Sequence, residues 1–150
     1  MKAGDVMTTG AATVRPDASL AEAARILTEH RISGLPVVAA DGTLVGIVTE
    51  QDFLRQEDGK RPRWFDVLTE TGGQVTARAL QEKRVQDVMT RSPVSVGVET
   101  PVEELVALME RHAVKRLPVV ENGKVVGIVS RANLVQALLR KADSAGSASR

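Results

Sequence analysis

The chain repeats itself, and the repeat limits what it can fold into. Asp5-Val6-Met7-Thr8 returns as Asp87-Val88-Met89-Thr90, and Leu35-Pro36-Val37-Val38 as Leu117-Pro118-Val119-Val120, both at an offset of 82. The offset then falls to 81, so that Gly42 matches Gly123 and Val45-Gly46-Ile47-Val48 matches Val126-Gly127-Ile128-Val129. A one-residue change between Val38 and Gly42 belongs in a turn, where length varies most freely. The chain is therefore two copies of one unit, over residues 5–56 and 87–138. A dissimilar linker (57–86) joins them, and a small, polar tail (139–150) follows that reads as flexible.

Each copy reads as strand, helix, strand, strand, helix. Thr13-Val14 and Val94-Ser95-Val96 are short opening strands. Ser19 and Glu22 have capping-box spacing before the first helix; in copy two Thr100 is the expected N-cap, with Pro101 at N1 and Glu103 closing the box. Leu20, Ala23, Ala24 and Leu27 follow at helical spacing, as do Val102, Leu105, Val106 and Met109. Two hairpins come next, Leu35–Ala39 with Leu44–Val48 and Leu117–Val120 with Val125–Val129. Asp41-Gly42 and Asn122-Gly123 both suit a type I′ turn. The apolar runs predict strands buried on both faces. The last helices start at Thr49 and Ser130 and run through Phe53-Leu54 and Leu134–Leu139. A single unit of about 50 residues is marginal alone, so two that share a buried sheet face are expected. In the linker, 57–63 reads as a loop, Trp64–Leu68 as a short helix or anchor, and Val75–Lys83 as helical after Gly72-Gly73.

Composition excludes several classes. There is no cysteine, hence no disulfide and no thiolate metal site. With one Trp, two Phe and no Tyr, the core must be aliphatic and base-stacking platforms are scarce. The net charge of +1 is no nucleic-acid footprint. No apolar run has membrane-spanning length, and Met1–Asp5 has no apolar signal region, which makes a cytoplasmic protein the expectation. No nucleophile–base constellation, metal spacing or glycine-rich phosphate loop is visible, so an enzyme is not expected and no metal site is assigned.

The end of each hairpin is the sharpest motif: Gly46-Ile47-Val48-Thr49-Glu50-Gln51-Asp52 and Gly127-Ile128-Val129-Ser130-Arg131-Ala132-Asn133. A strand runs into a helix start with a hydroxyl there and Asp or Asn three residues on. Two readings stand together. The hydroxyl and carboxylate can cap the helix. Alternatively, the glycine admits a close approach, the helix start suits an anion, and the carboxylate can accept from a ribose diol.

Taken together, the Val-Met-Thr openings, Leu-Pro-Val-Val strands and Gly-Ile-Val-[Thr/Ser]-x-x-[Asp/Asn] endings resemble the CBS domain family in its two-repeat form, the Bateman module, over about two thirds of the chain. The resemblance implies a mixed α/β (α+β) fold of two tandem β-α-β-β-α repeats, packed through their sheets about a pseudo-two-fold axis. It also implies clefts that take adenine nucleotides or S-adenosylmethionine as regulatory ligand, no obligatory cofactor, and a flat homodimer. Carried over by residue, one cleft has Thr49 toward phosphate or base edge and Asp52 toward the ribose. Pro93, Val94 and Ser95 wall the adenine there, and Lys115 and Arg116 face phosphates. The other has Ser130 and Asn133, with Ala11, Ala12 and Thr13 against the base. There Ser33 and Gly34 occupy the positions of the basic pair, which makes it the weaker site.

The remaining features are plainer. His30 and His112 sit at matched helix ends and favour a dipole partner or a surface residue over a metal or catalytic role. Lys60-Arg61-Pro62-Arg63-Trp64 reads as a solvated loop. Met7 and Met89 read as core or interface residues. Three functions follow for comparison: an adenosyl-ligand sensor acting in trans on a protein partner, a ligand-free homodimerisation scaffold, and, least favoured, a nucleic-acid binder.

Overall fold

The computed structural model describes residues 1–54 and 80–148. The polar stretch 57–63, the Trp64–Leu68 segment and most of the 75–83 helix lie outside the described residues; of the last, 80–82 is helical. The elements in chain order are α1 (Ala3–Val6), α2 (Leu20–His30), β1 (Gly34–Val38), β2 (Leu44–Thr49), α3 (Glu50–Leu54), α4 (Val85–Val88), β3 (Thr90–Arg91), β4 (Val96–Gly97), α5 (Val102–His112), β5 (Arg116–Glu121), β6 (Lys124–Ser130) and α6 (Arg131–Ala148).

The chain folds as two compact units that do not follow the repeats end to end. One, the Asp52 unit, is Ala12–Pro93; the other, the Asn133 unit, is Met1–Ala11 with Val94–Arg150. Each hairpin is therefore flanked on one edge by the opening strand of its own copy and on the other by the Asp-Val-Met-Thr segment of the other copy. In the Asp52 unit the sheet order is β1-β2-β3, with β3 antiparallel to β2 (Gly46 opposite Arg91, Ile47 opposite Thr90) and Val14 bridged parallel to Val37. In the Asn133 unit the order is β4-β5-β6, with Val96 parallel to Val119 and Thr8 bridged to Ile128. The opening strands are thus a single bridge at Val14 and the pair Val96–Gly97.

The Asp-Val-Met-Thr motifs fasten these segments. Asp5 Oδ2 accepts the Lys2 N–H at 3.0 Å, and Asp87 Oδ2 accepts the Arg84 N–H at 2.9 Å, each closing a single-turn helix. The methionine that follows covers a glycine. A Cβ on Gly127 would lie 2.6 Å from Met7 Sδ and 2.9 Å from the Thr8 carbonyl oxygen, and one on Gly46 would meet Met89 and Thr90 at the same distances. The close approach that these glycines permit is made by the protein's own chain.

Each core is aliphatic. Leu20, Leu27, Leu35, Val37, Val48, Val85 and Met89 fill the Asp52 unit, and Leu105, Met109, Leu117, Val119, Val129 and Leu134 the other. Burying one such leucine is worth about 1.5–3 kcal/mol, which is why the helices lay their apolar stripes on the sheets. β1 is buried throughout, as the apolar runs require, whereas β2 and β6 alternate buried and half-buried residues, so full burial on both faces does not extend to them.

Local chemistry sets the element ends, with some departures from the sequence reading. Ser19 Oγ accepts the Glu22 N–H at 3.1 Å, as the capping box requires. In copy two the N-cap is Pro101 and not Thr100, because the Thr100 hydroxyl accepts the Gly97 N–H at 3.1 Å and closes the preceding turn instead. Both helices end on a non-glycine residue in the left-handed region, Arg31 and Ala113, each at φ 53°. His30 and His112 are the last helical residues and are exposed.

The two hairpin turns differ. Asn122 (φ 54°) and Gly123 (φ 80°) make the two-residue type I′ turn, with Glu121 opposite Lys124. In copy one only Gly42 is left-handed, the Gly42 N–H donates to the Ala39 carbonyl, and Ala39 pairs with Thr43 around three residues. The expected I′ turn at Asp41-Gly42 is corrected to a turn with a left-handed glycine at its end, and the extra residue there is the source of the changed repeat offset. The tail is also corrected: α6 continues to Ala148. Its alanines are strong helix formers, and extending a nucleated helix costs far less than starting one.

Candidate functional site

Both candidate corners sit where the second hairpin strand ends and a helix begins. In the Asp52 unit, β2 ends at Thr49 and α3 starts at Glu50. Asp52 is buried, and its Oδ2 accepts the Thr49 N–H at 2.7 Å and the Thr49 hydroxyl at 3.4 Å. Ser33 lies beside this corner, its carbonyl accepting the Glu50 N–H at 3.0 Å. A buried carboxylate survives here because it is hydrogen-bonded at the positive end of a helix.

In the Asn133 unit the same corner joins β6 to α6. Asn133 Oδ1 accepts the Ser130 N–H at 2.8 Å and the Ser130 hydroxyl at 3.1 Å, while Ser130 Oγ accepts the Asn133 N–H at 3.3 Å. Asn133 Nδ2 donates to Thr8 Oγ1 at 3.3 Å. Lys115 and Arg116 adjoin this corner: the Lys115 carbonyl accepts the Arg131 N–H at 3.1 Å, and Arg116 lies opposite Ser130 in the sheet.

The Asx half of the capping reading is therefore observed at both corners, and the hydroxyl half at Ser130. The sequence-predicted residues fall in both units. Thr49, Asp52, Ser33, Ala12, Thr13 and Pro93 belong to the Asp52 unit; Ser130, Asn133, Lys115, Arg116, Val94, Ser95 and Ala11 belong to the other.

The Asn133 unit also carries a groove of about 510 Å³ that the sequence reading did not single out. Asp5, Val6, Met7 and Thr8 line one side of it, and Asn133, Gln136, Leu139 and Arg140 of α6 the other. One signal was present in the sequence: Gln136 and Arg140 follow Asn133 by three and seven residues, which puts all three on one helix face. Among the described residues no cluster of His, Asp and Glu could hold a metal ion, and no helix is long and apolar enough to cross a membrane.

Comparison with known proteins agrees with this architecture. The family model for the CBS domain matches residues 3–59 and 85–140. The chain is 34% identical over 138 residues to the CBS domain-containing protein CBSX1, chloroplastic, of Arabidopsis thaliana, covering 85% of this chain and 58% of that protein. It is 36% identical over 119 residues to the inosine-5′-monophosphate dehydrogenase of Korarchaeum cryptofilum, covering 79% of this chain and 20% of the enzyme. The chain thus spans less than two thirds of these relatives. Among solved structures, CBSX2 in complex with AMP superposes with a TM-score of 0.73 at 34% identity, covering 93% of this chain and 97% of that one. The CBS domain pair of MJ0100, in complex with 5′-methylthioadenosine and S-adenosyl-L-methionine, gives 0.72 at 26% identity, covering 94% and 98%.

Proposed function

We propose, from the premise that this chain belongs to the CBS domain family, that it is a regulatory module whose ligand is an adenosine derivative of the AMP or S-adenosylmethionine class. The observation that carries this is the duplicated corner. A hydroxyl residue and an Asx residue recur at the same strand-to-helix junction in both units, and proteins with this fold hold AMP or S-adenosylmethionine. The proposed binding residues are Thr49, Asp52, Pro93, Val94, Ser95, Lys115 and Arg116 in a first set. Ala11, Ala12, Thr13, Ser33, Ser130 and Asn133 form a second, weaker set. The repeats 5–56 and 87–138 are the paired sensing units and 57–86 is their linker. No catalytic role is proposed for the chain itself, although one relative is an enzyme of which the matching part is a fifth. The proposal extends to a cytoplasmic location and to regulation of a protein partner in trans.

A thermal-shift and calorimetric series with AMP, ADP, ATP and S-adenosylmethionine tests this. At 100 times Kd, a ligand that binds only the folded state stabilises it by about 2.7 kcal/mol, a shift of several degrees. If none of the four raises the melting temperature, the ligand-free scaffold replaces the sensor.

One observation supports the homodimer on either reading. Val135, Leu138 and Leu139 are 64%, 64% and 62% exposed on consecutive turns of α6, an apolar strip that a second copy could cover. Leu134, on the same helix, is buried in its own core.

A further inference from the structure

The two corners look alike in sequence, yet the structure gives them opposite hydrogen-bonding faces. At Asp52 every side-chain polar atom is an acceptor. At Asn133 one atom accepts and one donates, and which is which is fixed. The Ser130 N–H can only donate, so the atom 2.8 Å from it must be the amide oxygen. Nδ2 is thereby turned toward Thr8, whose Oγ1 accepts from it at 3.3 Å. A hydroxyl that accepts from Asn133 directs its own proton elsewhere, and the second N–H of Asn133 has no partner among the described residues. Gln136 and Arg140 line the same groove, and Arg140 makes no ion pair among the described residues. The groove's other charge is Asp5, whose Oδ2 is occupied by the Lys2 N–H.

We infer that this groove binds a phosphoryl group, through donors from Asn133, Thr8, Gln136 and Arg140. The acceptor of Asn133 is consumed by Ser130, so toward the groove it offers a donor only. A phosphoryl group needs donors, and the groove supplies them beside a cation. This reading deepens the second, weaker residue set: it assigns Asn133 a role different from that of Asp52, and the groove stands apart from whether an adenosine derivative occupies the first set.

The test uses the full chain, with inorganic pyrophosphate as the probe and backbone amide resonances as the readout. Pyrophosphate should shift the resonances of Thr8, Asn133 and Arg140. Arg140→Gln, on an exposed side chain, should weaken binding about tenfold, the loss of one charge-assisted contact. Asp5→Asn should strengthen it by removing the opposing charge. Asn133→Asp should fold, because Asp52 shows that a carboxylate serves the same corner, and it should abolish pyrophosphate binding. No shift at these three residues, or binding indifferent to Arg140→Gln and Asn133→Asp, overturns the inference. AMP titrated into the same samples is read at Thr49 and Asp52, so failure of the sensor proposal is recorded separately.

Discussion

Met89 rests on Gly46 so closely that a Cβ on the glycine would lie 2.6 Å from the methionine sulfur and 2.9 Å from the carbonyl oxygen of Thr90. The sulfur is the end of a flexible side chain, but the carbonyl belongs to the segment that pairs with β2 and cannot retreat without breaking that pairing. Gly46→Ala is therefore expected to destabilise the chain by about 1–3 kcal/mol, the range for overpacking. Gly97→Ala is the control. Its Cβ would meet only Thr100 Oγ1, at 3.9 Å, an ordinary contact. Urea denaturation of the two variants should separate them clearly, and equal midpoints would contradict the packing argument.

Asp52 holds the Thr49 N–H, and the sensor proposal gives it a second role that Asp52→Ala alone does not separate from the first. Removing the carboxylate in Asp52→Ala takes away the cap on Thr49 and should cost about 0.5–2 kcal/mol of stability. Under the sensor proposal it also removes two charge-assisted hydrogen bonds to the ligand, each worth about 1.5–3 kcal/mol, so AMP affinity should fall tenfold to several hundredfold. Asp52→Asn resolves the two. Asn133 shows that an amide oxygen serves the cap, so stability should recover while affinity stays low. Calorimetry and melting curves on both variants check this, and wild-type affinity in Asp52→Ala would remove Asp52 from the site.

Ala113 ends α5 at φ 53°, a conformation that costs an L-residue roughly 1–2 kcal/mol. Ala113→Gly relieves that cost and gives back about 0.4–1 kcal/mol through the freer unfolded chain. A net stabilisation of about 0.5–1 kcal/mol is expected, visible as a melting temperature raised by a few degrees. A lowered melting temperature would show that the Ala113 methyl packs more usefully than its backbone is strained.

Leu138 is 64% exposed on α6. If a second copy covers the strip, Leu138→Glu should convert a dimer to a monomer in light scattering at micromolar concentration. An exposed position should change the stability of the chain itself by no more than about 0.5 kcal/mol. A wild-type protein that already scatters as a monomer would end the homodimer proposal.

What the sequence determined by itself was most of the local structure. Ser19 caps α2 because a hydroxyl three residues before Glu22 reaches its N–H. Asn122-Gly123 turns as it does because both residues tolerate a positive φ. The hairpins, the helices and the aliphatic cores follow from periodicity, and the duplicated corners stood out as motifs. One placement that failed was the N-cap at Thr100, whose hydroxyl had a competing partner in the Gly97 N–H. Only the tertiary structure decided which opening segment completes which hairpin. The two Asp-Val-Met-Thr motifs are identical, as are the Gly-Ile-Val strands they cover, so no local preference distinguishes the pairing. Folding does, because each segment can bury its methionine on a glycine only where the path of the chain brings it. The face of Asn133 was hidden for the same reason: an amide can present either end, and the fixed Ser130 N–H, positioned by the strand-to-helix corner, settles which one.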